Sequence, residues 1–244
     1  FFFSRRETMD GWMPSLEHTE LETWEKVYEP AEDTYLLMDA LYKDREMIIA
    51  VCPIVIFELG SGSGVISVYM NRLLSNENLR PCIQIAIDIN EYATKLTKDT
   101  ANKNNCLNID TISSDLLFSF CQNKRYVDII IFNPPYVTTS VPNKNTYIND
   151  NISASWAGGP QGRFVIDRLL HHSNNFTSCL TPNALFYLLL SDENNPTEVI
   201  QLLQARGFTD TTVVLSRNAR PFVFLFFFLS RNPLQQLTRA KFRR

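Results

Sequence analysis

The chain has 244 residues and a mass of 28.1 kDa, which at roughly 150 residues per domain leaves room for one large domain or two small ones. Apolar residues make up 45% and charged residues 20%, a balance that excludes a disordered chain, a collagen-like repeat and a disulfide-dense miniprotein. With 23 Lys and Arg against 26 Asp and Glu, the formal charge is -3 and the pI about 5.7, so no global field holds a polyanion and no stable nucleic-acid partner is expected.

Residues 1–26 read as a loose N-terminal arm, with the first eight set aside because FFFSRRET lacks the order of a secretory signal and Met9 is expected as the true start. Pro30 and the acids Glu29, Glu32 and Asp33 precede Leu36, Leu37, Ala40 and Leu41, and so predict a helix over about Ala31–Tyr42. Short runs rich in Val, Ile, Phe and Leu then predict strands at Ile54–Leu59, Ile83–Asp88, Ile109–Ser113, Val127–Asn133, Ala184–Leu190, Thr211–Ser216 and Phe222–Leu229. Helices are expected between them at Gly64–Leu74, Glu91–Asn104, Arg163–Cys179 and Thr197–Gly207. Alternation of nearly continuous apolar strands with helices means a doubly wound, mostly parallel sheet of seven strands covered on both faces. Only Arg217–Arg220 joins the last two strands, too short for a crossover, so one of them runs antiparallel. No linker or repeat divides residues 27–230, and residues 231–244 form a basic tail.

The longest apolar run, Pro221–Leu229, falls short of the roughly 18–20 residues that span a bilayer, so a buried strand is expected and no membrane partner. Cys52, Cys82, Cys106, Cys121 and Cys179 are odd in number and contain no C-x-x-C pair, which fits reduced thiols in the cytoplasm rather than disulfides or a zinc knuckle. The histidines are His18 and the adjacent His171 and His172, which on a helix point in different directions. No metal site is expected.

Four strand ends carry the chemistry. In Phe57-Glu58-Leu59-Gly60-Ser61-Gly62-Ser63-Gly64 an acid and a glycine-rich turn open a helix. Gly60 and Gly62 let a ligand approach the backbone there, with the helix N-terminus facing it. Val65 stands where a dinucleotide fingerprint has its third glycine, and no Gly-Lys-Ser/Thr follows, so a ligand with an amino-acid moiety and a nucleoside but no pyrophosphate suits the loop. Asp88 ends the next strand 24 residues past Gly64, at the carboxyl edge of the sheet, where it can accept both hydroxyls of a ribose or cap the following helix. Asp115 ends a third strand and is placed to accept from an adenine amino group, with Leu116 packing on the ring.

The fourth strand ends in Asn133-Pro134-Pro135-Tyr136. Each proline restricts the residue before it to extended geometry, so the Asn133 amide oxygen and the Pro134 carbonyl form a fixed pair of acceptors. That pair can hold a planar NH2 by both hydrogens and turn its nitrogen toward an electrophile, while Tyr136 stacks on the flat face.

In this order and spacing the glycine loop, Asp88, Asp115 and Asn133-Pro-Pro-Tyr136 resemble the class I S-adenosylmethionine-dependent methyltransferases, whose sheet is Rossmann-like. Tyr28-Glu-Pro-Ala-Glu-Asp-Thr34, Glu58-Leu-Gly-Ser-Gly-Ser-Gly64 and Trp156-Ala-Gly-Gly159 with Gly162 and Asp167 are similar to the eukaryotic and archaeal HemK-like branch, over about Val27 to Arg217. The resemblance implies methylation of the glutamine side-chain amide in the Gly-Gly-Gln motif of class I translation termination factors. It implies cofactor contacts at Thr34, Glu58, Gly60, Asp88, Asp115 and Leu116, joined by Gly62 of the loop, and Asn133 touching both cofactor and substrate. Substrate would then meet Asn133, Pro134, Pro135 and Tyr136, with Asn133, Pro134 and Tyr136 carrying catalysis. A small zinc-binding activator subunit as heterodimer partner and a cytoplasmic location, with a nuclear pool allowed, are implied too. Two rivals stay open: an adenine-N6 nucleic-acid methyltransferase, since an exocyclic amine is also a planar NH2, and a cofactor-binding scaffold without catalysis. The almost wholly apolar Pro221–Leu229 and the acid-free tail with Arg231, Arg239, Lys241, Arg243 and Arg244 depart from the family pattern.

Overall fold

The computed structural model describes residues 8–75, 81–117, 125–140, 152–172, 176–217 and 222–228. Its centre is a sheet built from β1 (Val55–Leu59), β2 (Ile83–Asp88), β3 (Ile109–Ser113), β4 (Val127–Phe132), β5 (Leu180–Ser191), β6 (Asp210–Arg217) and β7 (Phe222–Phe228) in the order β3-β2-β1-β4-β5-β7-β6. The first five strands are mutually parallel, and β7 alone runs against its neighbours β5 and β6. This is the doubly wound architecture that the strand and helix alternation predicts. The basic tail 231–244 lies outside the described residues, as do residues 1–7.

Strand periodicity splits the core between two faces. Ile56, Ile129, Ile131, Leu185 and Tyr187 point to one side, where they pack on α1 (Glu32–Lys43), α2 (Arg45–Val51) and α3 (Val65–Ser75). Phe57, Leu59, Ile130, Phe132, Phe186 and Leu188 point to the other, against α5 (Phe164–His172) and α6 (Pro196–Gln204). Between β2 and β3, α4 (Glu91–Lys103) joins the first layer through Ala101, beside Val68 of α3.

Two expectations are corrected, and one element was missed. Of the helix expected over Arg163–Cys179, Phe164–His172 is α-helical among the described residues, and Phe176–Ser178 is a 3-10 turn leading into β5. That strand is longer than its apolar stretch, beginning at Leu180 with Pro182 inside it. The register slips there, from Val127↔Leu180 to Ile129↔Leu185, which is where a proline without an N–H is tolerated. The short helix α2 went unforeseen because its seven residues are too few to show a period.

The N-terminal arm is not loose. Trp12 lies 6.1 Å from the Tyr69 ring, with the Arg72 guanidinium 4.1 Å over its face. Ser15 and Asn104 exchange two hydrogen bonds, N–H to Oδ1 at 2.8 Å and Nδ2–H to carbonyl at 3.0 Å, and the Met9 N–H donates to Asp39 at 2.7 Å. The arm therefore straps α1, α3 and α4 together. Trp12→Ala is expected to lower unfolding free energy by about 1–3 kcal/mol, read by chemical denaturation, and an unchanged midpoint would mean the strap carries no stability.

Candidate active site

At the carboxyl edge Leu59 pairs with both Ile87 and Phe132, and Asp88 with Ser113. The residues that follow these strands therefore emerge at one level, and a cavity of about 480 Å³ opens there. Every site residue predicted from sequence lines it: Thr34, Glu58, Gly60, Gly62, Asp88, Asp115, Leu116, Asn133, Pro134, Pro135 and Tyr136.

The loop after β1 turns through positive φ at Gly60 (66°), Gly62 (52°) and Gly64 (79°). A Cβ at Gly64 would sit 2.8 Å from Thr97 Cα, so α4 can pack onto the loop only where there is no side chain. The loop is also pinned by the carboxylate of Asp88, which accepts from Gly62 N–H and Asn90 N–H, both at 2.9 Å. Capping of α4 falls to Asn90, whose Oδ1 accepts from Tyr92 N–H at 3.0 Å. Asp88 thus lines the cavity with its carboxylate bonded to the glycine loop and to the start of α4.

Glu58 is buried beneath the loop and accepts from the Ser67 hydroxyl. Burial pushes its carboxyl up to about 8, against the pull of the Ser67 bond and with a further push from Asp88. Burial also raises Asp88, while backbone N–H groups led by that of Gly62 oppose the rise. Both acids sit where a bound cation would stabilise their ionised forms.

Asp115 differs from expectation. Its Oδ2 is taken by the Arg168 guanidinium of α5, so it meets a ligand as half of an ion pair rather than as a free acceptor. The neighbouring Leu116 is buried and held at φ 53°, a left-handed conformation that costs an isoleucine-sized side chain about 1–3 kcal/mol.

Tyr136 is anchored at its far end. Its hydroxyl is tied down by donation to Asp33 Oδ2 at 3.2 Å, and the Asn133 Nδ2–H donates to the same oxygen at 3.0 Å. Asp33 is 3% exposed, and its Oδ1 accepts from Thr34 N–H at 2.8 Å and from the Tyr28 hydroxyl at 3.4 Å. With its nitrogen engaged, Asn133 is left with a buried Oδ1 that has no hydrogen-bond partner. A buried acceptor without a donor costs about 1–3 kcal/mol, which an N–H brought up to it would recover. Sequence reasoning assigned no role to Asp33, because an acid in the first turn of a helix already has an explanation in the helix dipole.

A second loop holds Asn133-Pro-Pro-Tyr136 from behind. Gly158 and Gly162 lie against the Pro135 and Tyr136 carbonyls, and a Cβ on Gly162 would stand 1.9 Å from the Tyr136 oxygen. Buried Asn194 donates to the Tyr136 and Gln161 carbonyls, both at 2.9 Å, and accepts from Ser191 N–H at 2.7 Å. Arg163, 3% exposed, bridges Asp167 at 2.8 Å and Glu198 at 2.5 Å. These contacts explain the spacing of Trp156-Ala-Gly-Gly159, Gly162 and Asp167: small residues where backbones touch, and an acid to neutralise a buried arginine. Among the described residues, no group of three or more His, Cys, Asp or Glu could hold a metal ion.

The model of the methyltransferase small domain matches residues 33–166, more than half of the chain, from the carboxylate that ties down Asn133 to the first turns of α5. Methyltransferase HEMK2 of Homo sapiens is 37% identical over 196 residues, covering 79% of this chain and 84% of that protein. The eRF1 methyltransferase catalytic subunit mtq2 of Schizosaccharomyces pombe is 32% identical over 207 residues, covering 80% and 85%. Among solved structures, the E. cuniculi Mtq2-Trm112 complex, described as responsible for methylation of the eRF1 translation termination factor, superposes with a TM-score of 0.59. It is 28% identical and covers 84% of this chain and 99% of that one. The chain belongs to the methyltransferase small-domain family, in its HEMK2-like branch of methyltransferases.

Two outcomes follow from this geometry. Gly162→Ala, with a positive φ and no room for Cβ, is expected to cost about 3 kcal/mol or more in denaturation; wild-type stability would show that the two loops need no close approach. Glu58 gives a pH signature. Its carboxyl is held protonated in the fold up to about 8 but ionises near its ordinary value when unfolded. Stability of the ligand-free protein therefore falls as pH rises from about 4.5 to about 8, by at most about 1.4 kcal/mol per pH unit. Asp88 is raised too and adds a fall in the same direction. Thermal melts of Glu58→Gln should lose most of this slope, and an identical slope would remove Glu58 as its source.

Proposed function

We propose that this chain transfers a methyl group from S-adenosylmethionine to the side-chain amide nitrogen of the glutamine in the Gly-Gly-Gln motif of a class I translation termination factor. The observation that carries this reading is the polarity of Asn133, whose nitrogen is spent on Asp33 while its buried oxygen waits for a donor. A carboxamide NH2 is such a donor. The family supports it further, since relatives are named as a catalytic subunit of eRF1 methylation and as a putative protein N5-glutamine methyltransferase.

The cavity suits the cofactor. Its glycine loop leaves backbone open to a ligand, and Glu58, Asp88 and Asp33 face a space where a cation is favoured. S-adenosylmethionine supplies a methyl group activated by a positively charged sulfur. Thr34, Glu58, Gly60, Gly62, Asp88, Asp115 and Leu116 would hold it, with Asp88 at the carboxyl edge of β2 to accept from ribose hydroxyls.

The chain's own residues address the harder problem. An amide nitrogen is a poor nucleophile because its lone pair is delocalised into the carbonyl. Acceptance of its two N–H groups by Asn133 Oδ1 and the Pro134 carbonyl fixes the nitrogen in place and favours a tetrahedral geometry in which the lone pair is localised. As positive charge develops on the nitrogen, both acceptors bind it more tightly, and the buried carboxylate of Asp33 behind Asn133 adds to the effect. Pro134 and Pro135 keep the acceptors from turning away.

The chain works, in this reading, as the catalytic subunit of a heterodimer with a small zinc-binding partner of the Trm112 kind, in the cytoplasm where translation terminates, with a nuclear pool allowed. The exposed Ile83, Ile89, Tyr92 and Leu107 on the β2–β3 side of the molecule favour a protein cover there. Expressed alone the chain should be poorly soluble, and co-expression with the partner should recover it. A monodisperse, fully active isolated chain would remove the heterodimer from the reading.

The function is tested by incubating the co-expressed complex with labelled S-adenosylmethionine and termination factor, DNA or RNA. Label is expected on the factor alone, and lost when its Gly-Gly-Gln glutamine is replaced. Transfer to nucleic acid instead would move the substrate class, and no transfer would leave an idle scaffold. Asn133→Ala should reduce single-turnover methylation about a hundredfold to a thousandfold while cofactor affinity largely persists. Wild-type rates in that variant would sink the mechanism.

A further inference from the structure

We propose that Asp33 is the positioning residue of this site, fixing which end of the Asn133 amide faces the substrate and thereby setting the preference for a carboxamide over a carboxylate. The inference rests on the glutamine reading above and adds to it the origin of the selectivity.

A primary amide has nearly the same shape after a half-turn about its last side-chain bond, so packing alone selects its orientation poorly. The two orientations are opposite in function here. With Oδ1 toward the substrate, Asn133 and the Pro134 carbonyl present two acceptors to an NH2. With Nδ2 there, a donor faces a donor and a carboxylate becomes the better ligand.

The choice is made by Asp33, which is 3% exposed and can only accept when ionised. Its Oδ2 takes the Asn133 Nδ2–H at 3.0 Å together with the Tyr136 hydroxyl at 3.2 Å. Its other oxygen is occupied by Thr34 N–H at 2.8 Å, so the carboxylate cannot swing away. Turning the Asn133 amide would set its oxygen against a buried carboxylate oxygen. The backbone distance is bridged by the fold, since Asp33 opens α1 and Asn133 ends the β4 segment 100 residues later. The unpartnered Oδ1 of Asn133 is the product of this arrangement.

Asp33→Asn is the sharpest test, because it keeps the size and inverts one hydrogen-bonding end. The new amide keeps its oxygen on the Thr34 N–H and turns its NH2 toward Asn133, which must then reverse. The co-expressed complex is assayed with termination factor carrying Gln or Glu at the methylated position, measuring kcat and KM on the first and binding of both. Wild type should bind the Gln form at least about tenfold more tightly than the Glu form, the worth of one or two well-placed hydrogen bonds. In Asp33→Asn this ratio should collapse toward one or invert, with kcat reduced about a hundredfold and S-adenosylmethionine affinity within about threefold. Asp33→Ala should lose kcat without inverting the ratio, since neither orientation is then enforced. An unchanged Gln-to-Glu ratio in both folded variants overturns the proposal. Should either variant melt before assay, hydrogen exchange of the Asn133 side-chain amide in isotope-labelled wild type decides. One slowly exchanging proton supports the bond to Asp33, and two rapidly exchanging protons overturn it. A wild-type complex that methylates no glutamine refutes the function, while the exchange measurement still tests the orientation.

Discussion

A carboxylate taken out of water must be met by donors on both oxygens, and in this protein that requirement at Asp33 draws the site together. Its donors come from the segment before α1, from α1 itself and from the loop after β4. Satisfying one buried charge therefore positions the helix that carries Thr34 against the strand end that carries Asn133. The polar centre is thus fixed by the same bonds that close the layer of helices over the sheet.

The strain of the Asn-Pro-Pro-Tyr segment is resisted from the opposite side. Two prolines remove backbone donors from a strand end, and the carbonyls that remain must find partners or sit against surfaces without side chains. Asn194 supplies donors to the Tyr136 and Gln161 carbonyls, while Gly158 and Gly162 supply the bare surface. Arg163 then locks this loop to α5 and α6 through Asp167 and Glu198. The segment is clamped between Asp33 on one side and this loop on the other.

Much of this was legible in the amino-acid order. Apolar strands ending in Glu58, Asp88, Asp115 and Asn133 can lie side by side only if the sheet is parallel, so their convergence followed once the alternation was recognised. The seven strands and the antiparallel β7 came from the same pattern. What escaped was of two physical kinds. Partnerships between polar side chains far apart in sequence, such as Asp33 with Asn133 or Asp115 with Arg168, leave no periodic trace. The docking of the arm through Trp12 and the Ser15–Asn104 pair was hidden because a strap over helices needs no regular structure of its own. The helix expected to run to Cys179 was overextended for a related reason, since Phe176 and Cys179 keep its apolar spacing although Phe176–Ser178 is a 3-10 turn.

A pair of acceptors recognises any planar NH2, so it separates amines from carboxylates without separating a glutamine from an adenine. That second distinction belongs to the mouth of the cavity. Its lining holds one cation among the described residues, Arg168, and this is already paired with Asp115. Trp156, Val137 and Phe164 form its rim, each about two-fifths exposed. Holding a nucleic-acid backbone requires several cations placed to release counterions, and these three side chains offer apolar surface instead. A neutral peptide loop loses little by approaching such a rim and gains the burial of its own apolar atoms. A phosphodiester strand would bring its charges toward Asp33 and Asp88, with Arg168 the one cation lining the cavity among the described residues. Under the proposed function, the acceptor pair would select the functional group and the rim the kind of chain that presents it.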